Sequence, residues 1–205
     1  MASGSGCVPW WVCPLSGRAG AGPGGFDGGW LMRQGYVRPQ APPSRGVAGY
    51  KIPESVLVVI HTPALEVLMI RRAGGGDPHW QSVTGSKDWP EEPFEAAAVR
   101  EVFEETGIDA RAPGHVLTDW FLENEYDIWP QWLYRYAPGV VRNRERLFGL
   151  RVPAGTPVAL NPREHDAWRW LPWREAALAC FSPSNAEACL WLPRFAACAS
   201  PEDPG

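Results

Sequence analysis

Residues 85–108, GSKDWPEEPFEAAAVREVFEETGI, set three glutamates, Glu101, Glu104 and Glu105, within one turn of a segment that otherwise reads as an alanine-rich helix. Pro93 suits the first turn of that helix and Gly107 its stop, so the spacing predicts a helix running to about Thr106. Residues three and four apart are neighbours on a helix, so Glu101 sits beside both Glu104 and Glu105, and each like-charged pair costs roughly 0.2–0.5 kcal/mol. Arg100, four residues before Glu104, can hold one of the acids. Ala96, Ala98, Val99, Val102 and Phe103 fall on the other side of the wheel and supply a face to bury. The carboxylates are therefore expected to point away from the core. Two readings compete for them: a solvated acidic face, or a site for a hard cation such as Mg²⁺, which takes oxygen ligands from one or two carboxylates and substrate phosphates.

The rest of the chain narrows the classes. At 205 residues and 22.6 kDa it is long enough to close one ordinary core with length to spare. A net charge of −4 argues against a nucleic-acid partner bound through backbone phosphates. No apolar run reaches the roughly 18–20 residues of a membrane span, and WWVCPL lacks the basic leader and longer apolar region of a signal peptide, so a cytoplasmic protein without a membrane partner is expected. Cys7, Cys13, Cys180, Cys189 and Cys198 form no CxxC pair, and His61, His79, His115 and His165 are scattered, which argues against disulfides and transition-metal sites. The 12 tryptophans serve packing or stack on a flat ligand ring.

Residues 1–47 hold 17 Gly or Pro, no Glu or Lys and a single Asp, and are expected to be a disordered extension. A folded domain is expected over 48–195 and a disordered tail over 196–205. SVLVVI (55–60) and EVLMI (66–70) read as buried strands, WQSVTG (80–85) as a third, and HVLTDWFL (115–122), DIWPQWLYRY (127–136), RLFGLRV (146–152) and WRWL (168–171) as further ones. Helices are expected after Pro172 and over SNAEACLWL (184–192), the latter behind a Ser184 or Asn185 cap. Strands and helices mix without regular βαβ alternation, which gives an α+β class, an α/β/α sandwich with a mixed β-sheet.

The pattern Arg100-Glu101-Val102, Glu104-Glu105, Gly107-Ile108 resembles the Nudix box of the Nudix hydrolases at every defined position of its second half. The box's first glutamate falls on Glu92, with one residue inserted after Gly85; taking Glu91 would move the mismatch into the helix and rotate the charged face by about 100°. The resemblance implies hydrolysis of a nucleoside-diphosphate-like compound, with Glu101, Glu104 and Glu105 holding Mg²⁺, or Mn²⁺ as its substitute, and Arg100 orienting a glutamate. Repulsion among the glutamates agrees with such a role, because a cation offsets it.

A narrower resemblance lies outside the box. YKIP, LMIRR, WQSVTGS, RYAPGVVRN, REH and SPSNAEA occur in the order and spacing of the bacterial Nudix branch that hydrolyses dihydroneopterin triphosphate in folate synthesis, over about residues 48–195. It implies substrate contacts from Lys51, Arg72, Thr84, Tyr126, Asp127, Ile128, Trp129 and Ser182, and makes Glu164 a further metal ligand or the acceptor of the water's proton. Two cations facing one site suit a triphosphate, and an acid between an aromatic and an apolar residue suits a pterin's N–H groups. Arg142 and Arg144 form a loop pair that could edge the triphosphate pocket. Each also has a bland reading: surface charge for Lys51, Arg72 and Glu164, core packing for Ile128 and Trp129. A (d)NTP hydrolase and a non-catalytic Nudix-fold binding module stand as alternatives.

Overall fold

The structure is a computed structural model, and it describes residues 49–74 and 80–198. The expected extension over 1–47, His79 and residues 199–205 lie outside the described residues. Strand β1 (Glu54–His61) is apolar on both faces: Val56, Val58 and Ile60 enter one core, and Leu57 and Val59 the other. Burial on both faces turns what would be an alternating strand into a continuous apolar run.

Around β1 a seven-stranded mixed sheet assembles, with β2 (Glu66–Arg72), β3 (Trp80–Gln81), β4 (Val83–Ser86), β5 (Val116–Asp127), β6 (Arg142–Arg151) and β7 (His165–Pro172). Its path is β3-β2-β1-β6-β5, with β4 on β1 and β7 on β2. The β1–β6 pair is parallel and the others are antiparallel. Helix α1 (Phe94–Thr106) covers one face through Ala97, Ala98, Val99 and Val102, while α2 (Trp173–Ala179) and α3 (Pro183–Cys198) cover the other through Ala176, Ala188, Cys189 and Leu192. The expected α/β/α sandwich is what forms. Gly107 ends α1 in the left-handed region (φ 69), where its N–H donates to the Phe103 carbonyl at 2.9 Å.

Several local expectations are corrected. Residues 130–135, read as part of a strand, form a 3₁₀ turn (Pro130–Arg135), because Pro130 has no N–H for a ladder and its fixed φ suits a first helical position. WQSVTG is two strands broken at Ser82. Helix α3 starts at Pro183, ahead of the expected Ser184 or Asn185 cap, and runs through Pro193 to Cys198, three residues into the segment expected to fray.

Candidate active site

Arg100, 1 % exposed, organises the loop before α1. Its Nε and Nη2 donate to the two oxygens of Glu92 at 3.0 and 3.1 Å, Nη2 also donates to the Ser86 carbonyl at 2.9 Å, and Nη1 donates to Glu101 Oε1 at 2.7 Å. Asp88 and Glu104 stand 3.5 Å away. Glu92, 1 % exposed, takes a further bond from the Asp88 N–H at 2.6 Å. The inserted residue is thus absorbed in a loop that folds back on Glu92, and Glu92 is the acid this loop buries.

The three box glutamates do not all face solvent, as their helical positions had implied. Glu105 is 3 % exposed, and its Oε2 has no hydrogen-bond partner. Glu101 lies over Gly85, where an added Cβ would sit 1.8 Å from the Glu101 Cδ. Only glycine leaves that space. Glu104 stays partly exposed beside Arg100. Burial pushes the Glu101 carboxyl up to about 7 against the pull of Arg100, with Glu104 and Glu164 adding to the rise. Burial likewise holds Glu105 well above the usual carboxylate range, reinforced by Glu101 and Glu164 and opposed by the Thr84 N–H and Arg72.

Glu164 is exposed; its Oε1 accepts from Asn161 Nδ2 at 3.2 Å and its carbonyl from the Ala73 N–H at 2.8 Å, which ties it to the end of β2. Lys51 stands among Arg135, Glu101, Arg72 and Glu164. Partial burial, then Arg135 and Arg72, hold its ammonium below its ordinary pKa, while Glu101 and Glu164 oppose them. Arg72 opens toward solvent at the end of β2, next to His165, whose buried imidazole is driven down to about 4 by burial and by Arg72. That ring is neutral at pH 7. Thr84 serves through its N–H, while its hydroxyl accepts from Gln81 at 3.3 Å.

The fold thus gathers Lys51, Arg72, Thr84, Arg100, Glu101, Glu104, Glu105 and Glu164 into one neighbourhood of opposed charge. Among the described residues, no three His, Cys, Asp or Glu side chains form a ready metal cage. The donors nonetheless fit a hard divalent cation, which asks for only one or two carboxylates beside phosphate and water. The buried, unpartnered Glu105 Oε2 and the burial of Glu101, which Arg100 offsets only in part, are both relieved by positive charge.

A second group forms on the other face of the sheet. Tyr126 accepts from Asn143 Nδ2 at 3.0 Å, and burial, then the nearby Glu145, raise its phenol to about 12. Ile128 is buried, and its N–H donates to the Val141 carbonyl at 2.8 Å. Trp129 lies stacked near Phe181, ring centroids 6.1 Å apart.

Asp127 does not join them. It pairs across the ladder with Arg142 on the opposite pleat, is 83 % exposed, and accepts from Arg142 Nε at 3.2 Å. Successive strand residues point to opposite faces, so Tyr126 and Asp127 cannot line one surface. Arg142 and Arg144 are likewise held by Glu125, Asp127, Glu54 and Glu123 and do not edge the pocket. Ser182 caps α3, its Oγ accepting from the Asn185 N–H at 3.3 Å, the role expected of Ser184 or Asn185. Sequence reading passed over Glu145 and Asn143. Their signal was present: in RNRERLFGLR the polar residues 143 and 145 share a pleat with buried Leu147.

Comparison with known proteins agrees with this geometry. The family model described as NUDIX domain matches residues 51–192. The dihydroneopterin triphosphate diphosphatase of Escherichia coli K12 is 41 % identical over 140 residues, covering 68 % of this chain and 91 % of the relative. The protein of the same name from Haemophilus influenzae is 36 % identical, with 68 % and 86 % covered. Among solved structures, that of the E. coli dihydroneopterin triphosphate pyrophosphohydrolase superposes with a TM-score of 0.63 at 39 % identity, covering 73 % of this chain and 99 % of the other.

Proposed function

The chain belongs to the NUDIX family, and from that premise we propose that its domain over residues 48–195 hydrolyses dihydroneopterin triphosphate between the α and β phosphates, giving the monophosphate and pyrophosphate. The observation that carries the reading is buried Glu105, with its unpartnered Oε2, next to half-buried Glu101, both with raised carboxyl pKa values, beside Lys51 and Arg72. Carboxyls raised by burial beside a lysine held below its ordinary pKa mark a site of chemistry.

Glu101 and Glu105, with Glu104 and Glu164 adjoining, are the residues to hold a divalent cation, Mg²⁺ with Mn²⁺ as its substitute. When bound, such a cation polarises phosphoryl oxygens and lowers the pKa of water. Lys51 and Arg72 take the triphosphate's charge by charge-assisted hydrogen bonds. Arg100 fixes the Glu101 carboxylate through its 2.7 Å bond, and Gly85 leaves the space that carboxylate occupies. Asn161 donates to Glu164 Oε1, which leaves Oε2 to take the proton from the attacking water. Water forms the new P–O bond as the bridging P–O bond breaks, and no enzyme side chain becomes covalently attached. Tyr126, Ile128, Trp129 and Ser182 are assigned to the heterocyclic end of the substrate.

The test offers purified protein and Mg²⁺ the pterin triphosphate, dATP and ADP-ribose in parallel. Preferential turnover of the pterin compound is expected. A higher kcat/KM for dATP or ADP-ribose would overturn the substrate assignment.

A further inference from the structure

Opposite the carboxylate cluster, three side chains at least nine-tenths buried each keep one polar atom without a partner: Glu145 Oε2, Asn143 Oδ1 and Asn185 Nδ2. Leaving such atoms unpaired costs their full desolvation, so native proteins rarely tolerate several together. Their remaining atoms are held in place. Asn143 Nδ2 donates to Ser55 Oγ at 2.7 Å and to the Tyr126 hydroxyl at 3.0 Å. The side chains of Ser184, Asn124 and Tyr126 stand against the Glu145 carboxyl and oppose the rise that burial imposes on it. Asn185 Oδ1 accepts from Cys180 Sγ at 2.8 Å and Ser82 Oγ at 3.3 Å. Asn143 Nδ2 gives its hydrogens to Ser55 and Tyr126, which leaves Oδ1 as the amide atom without a partner.

Ladder register puts Glu145 and Asn143 on one surface, and Asn185 stands in the first turn of the helix that covers that face. Glu145 is paired with Ser55 on one side and Asn124 on the other, and Asn143 with Tyr126. Paired residues share a face, here the face that α3 covers, and Ser184 reaches Glu145 from the first turn of that helix. Trp129, next to Phe181 ahead of α3, adds a flat apolar wall. The surface also connects to the phosphate side. Ser86 follows Gly85 on β4 and pairs with Ser55, and Tyr136, hydrogen-bonded to Ser86, is bridged to Lys51.

Two acceptors and one donor, dry and preset, are complementary to an edge that offers two N–H donors and one carbonyl. We propose that Glu145, Asn143 and Asn185 recognise the 2-amino-4-oxo-pyrimidine edge of a bicyclic ligand, the edge that pterins and guanine share and adenine lacks. Glu145 accepts from the amino and ring N–H groups, Asn143 Oδ1 shares the donors, and Asn185 Nδ2 donates to the carbonyl. This rests on the proposed hydrolase activity only in that the ligand is a heterocycle carrying phosphates. It moves the acidic contact from Asp127, on the opposite pleat, to Glu145.

The experiment is equilibrium binding of unphosphorylated neopterin, followed by its own fluorescence, with guanosine and adenosine as competitors and no metal added. Wild-type protein is expected to bind neopterin and to release it to guanosine but not to adenosine. Glu145→Gln, of nearly equal shape, is expected to weaken neopterin binding roughly 10- to 100-fold, the loss of a charged hydrogen-bond partner. Asn185→Leu should weaken it as well. Equal competition by adenosine and guanosine in the wild type, an outcome that needs no variant, would overturn the proposal, and so would unchanged affinity in folded Glu145→Gln. If wild-type protein fails to hydrolyse the pterin triphosphate yet discriminates guanosine from adenosine, the activity assignment falls and the recognition edge stands. If Glu145→Gln hydrolyses the pterin triphosphate with an unaltered KM, the activity assignment stands and the recognition edge falls.

Discussion

Removing the Glu92 side chain by Glu92→Ala tests whether the loop ahead of α1 is held by one buried ion pair. Glu92 has a side-chain exposure of 0 %, Arg100 of 2 %, and the substitution deletes two guanidinium bonds at 3.0 and 3.1 Å and the Asp88 N–H bond at 2.6 Å. Breaking a buried pair by taking one partner costs about 3–5 kcal/mol, because the other charge stays buried. Arg100 keeps Glu101 at 2.7 Å and the Ser86 carbonyl at 2.9 Å, which places the loss at the lower end, about 3 kcal/mol. For a domain of this size that lowers Tm by roughly 6–12 °C. Thermal and urea unfolding followed by circular dichroism, both in chelator, read the change without metal stabilisation. A fall in Tm under about 2 °C would refute the reasoning, because it would mean that Arg100 is satisfied without Glu92.

Glu105→Gln is expected to abolish turnover while leaving Tm within a few degrees of the wild type or above it, since the buried carboxyl is already held well above its usual pKa; activity at the wild-type rate in saturating Mg²⁺ would contradict its role. Gly85→Ala should cut kcat at least about tenfold by driving a methyl into the Glu101 carboxylate, and unchanged kinetics would show that Glu101 is free to move aside. In chelator, stability should fall as pH rises from about 5 to 8. The Glu101 carboxyl, raised from 4.5 to about 7, and the Glu105 carboxyl, held well above its usual range, keep protons in the native state that the unfolded chain has released. Glu101 alone contributes about 2 kcal/mol between pH 5.5 and 8, and together they outweigh buried His165, which is lowered to about 4 and acts with the opposite sign. Urea titrations at pH 5.5 and 8 check the sign, and greater stability at pH 8 would contradict it. Saturating Mg²⁺ should recover more stability at pH 8 than at pH 5.5, because the cation binds ionised carboxylates.

Much of this was legible in the chain itself. The glutamate spacing in α1 and the two-faced apolar run of β1 follow from local periodicity, and the insertion before Glu92 from the resemblance to the Nudix box; the structure forms the helix, the strand and a loop that closes on Glu92. What sequence reading missed depends on partners. The polar pleat of β6 becomes a buried polar cluster only because Ser55, Tyr126 and Ser184 arrive from three other elements. The resemblance of residues 126–129 to the family's substrate-lining stretch assigns Asp127 to the pterin, but neighbouring strand residues face opposite sides, and the ladder with Arg142 decides which. The burial of Glu105 was hidden for a similar reason: helical spacing alone does not say that Thr84 and Gly85 of β4 close over the glutamates.

The most direct test of the central claim is the identity of the phosphorus products when the protein and Mg²⁺ are given dihydroneopterin triphosphate, followed by ³¹P NMR. Equal amounts of pyrophosphate and dihydroneopterin monophosphate are predicted, with no inorganic phosphate formed directly. Stepwise release of inorganic phosphate through a diphosphate would contradict the account.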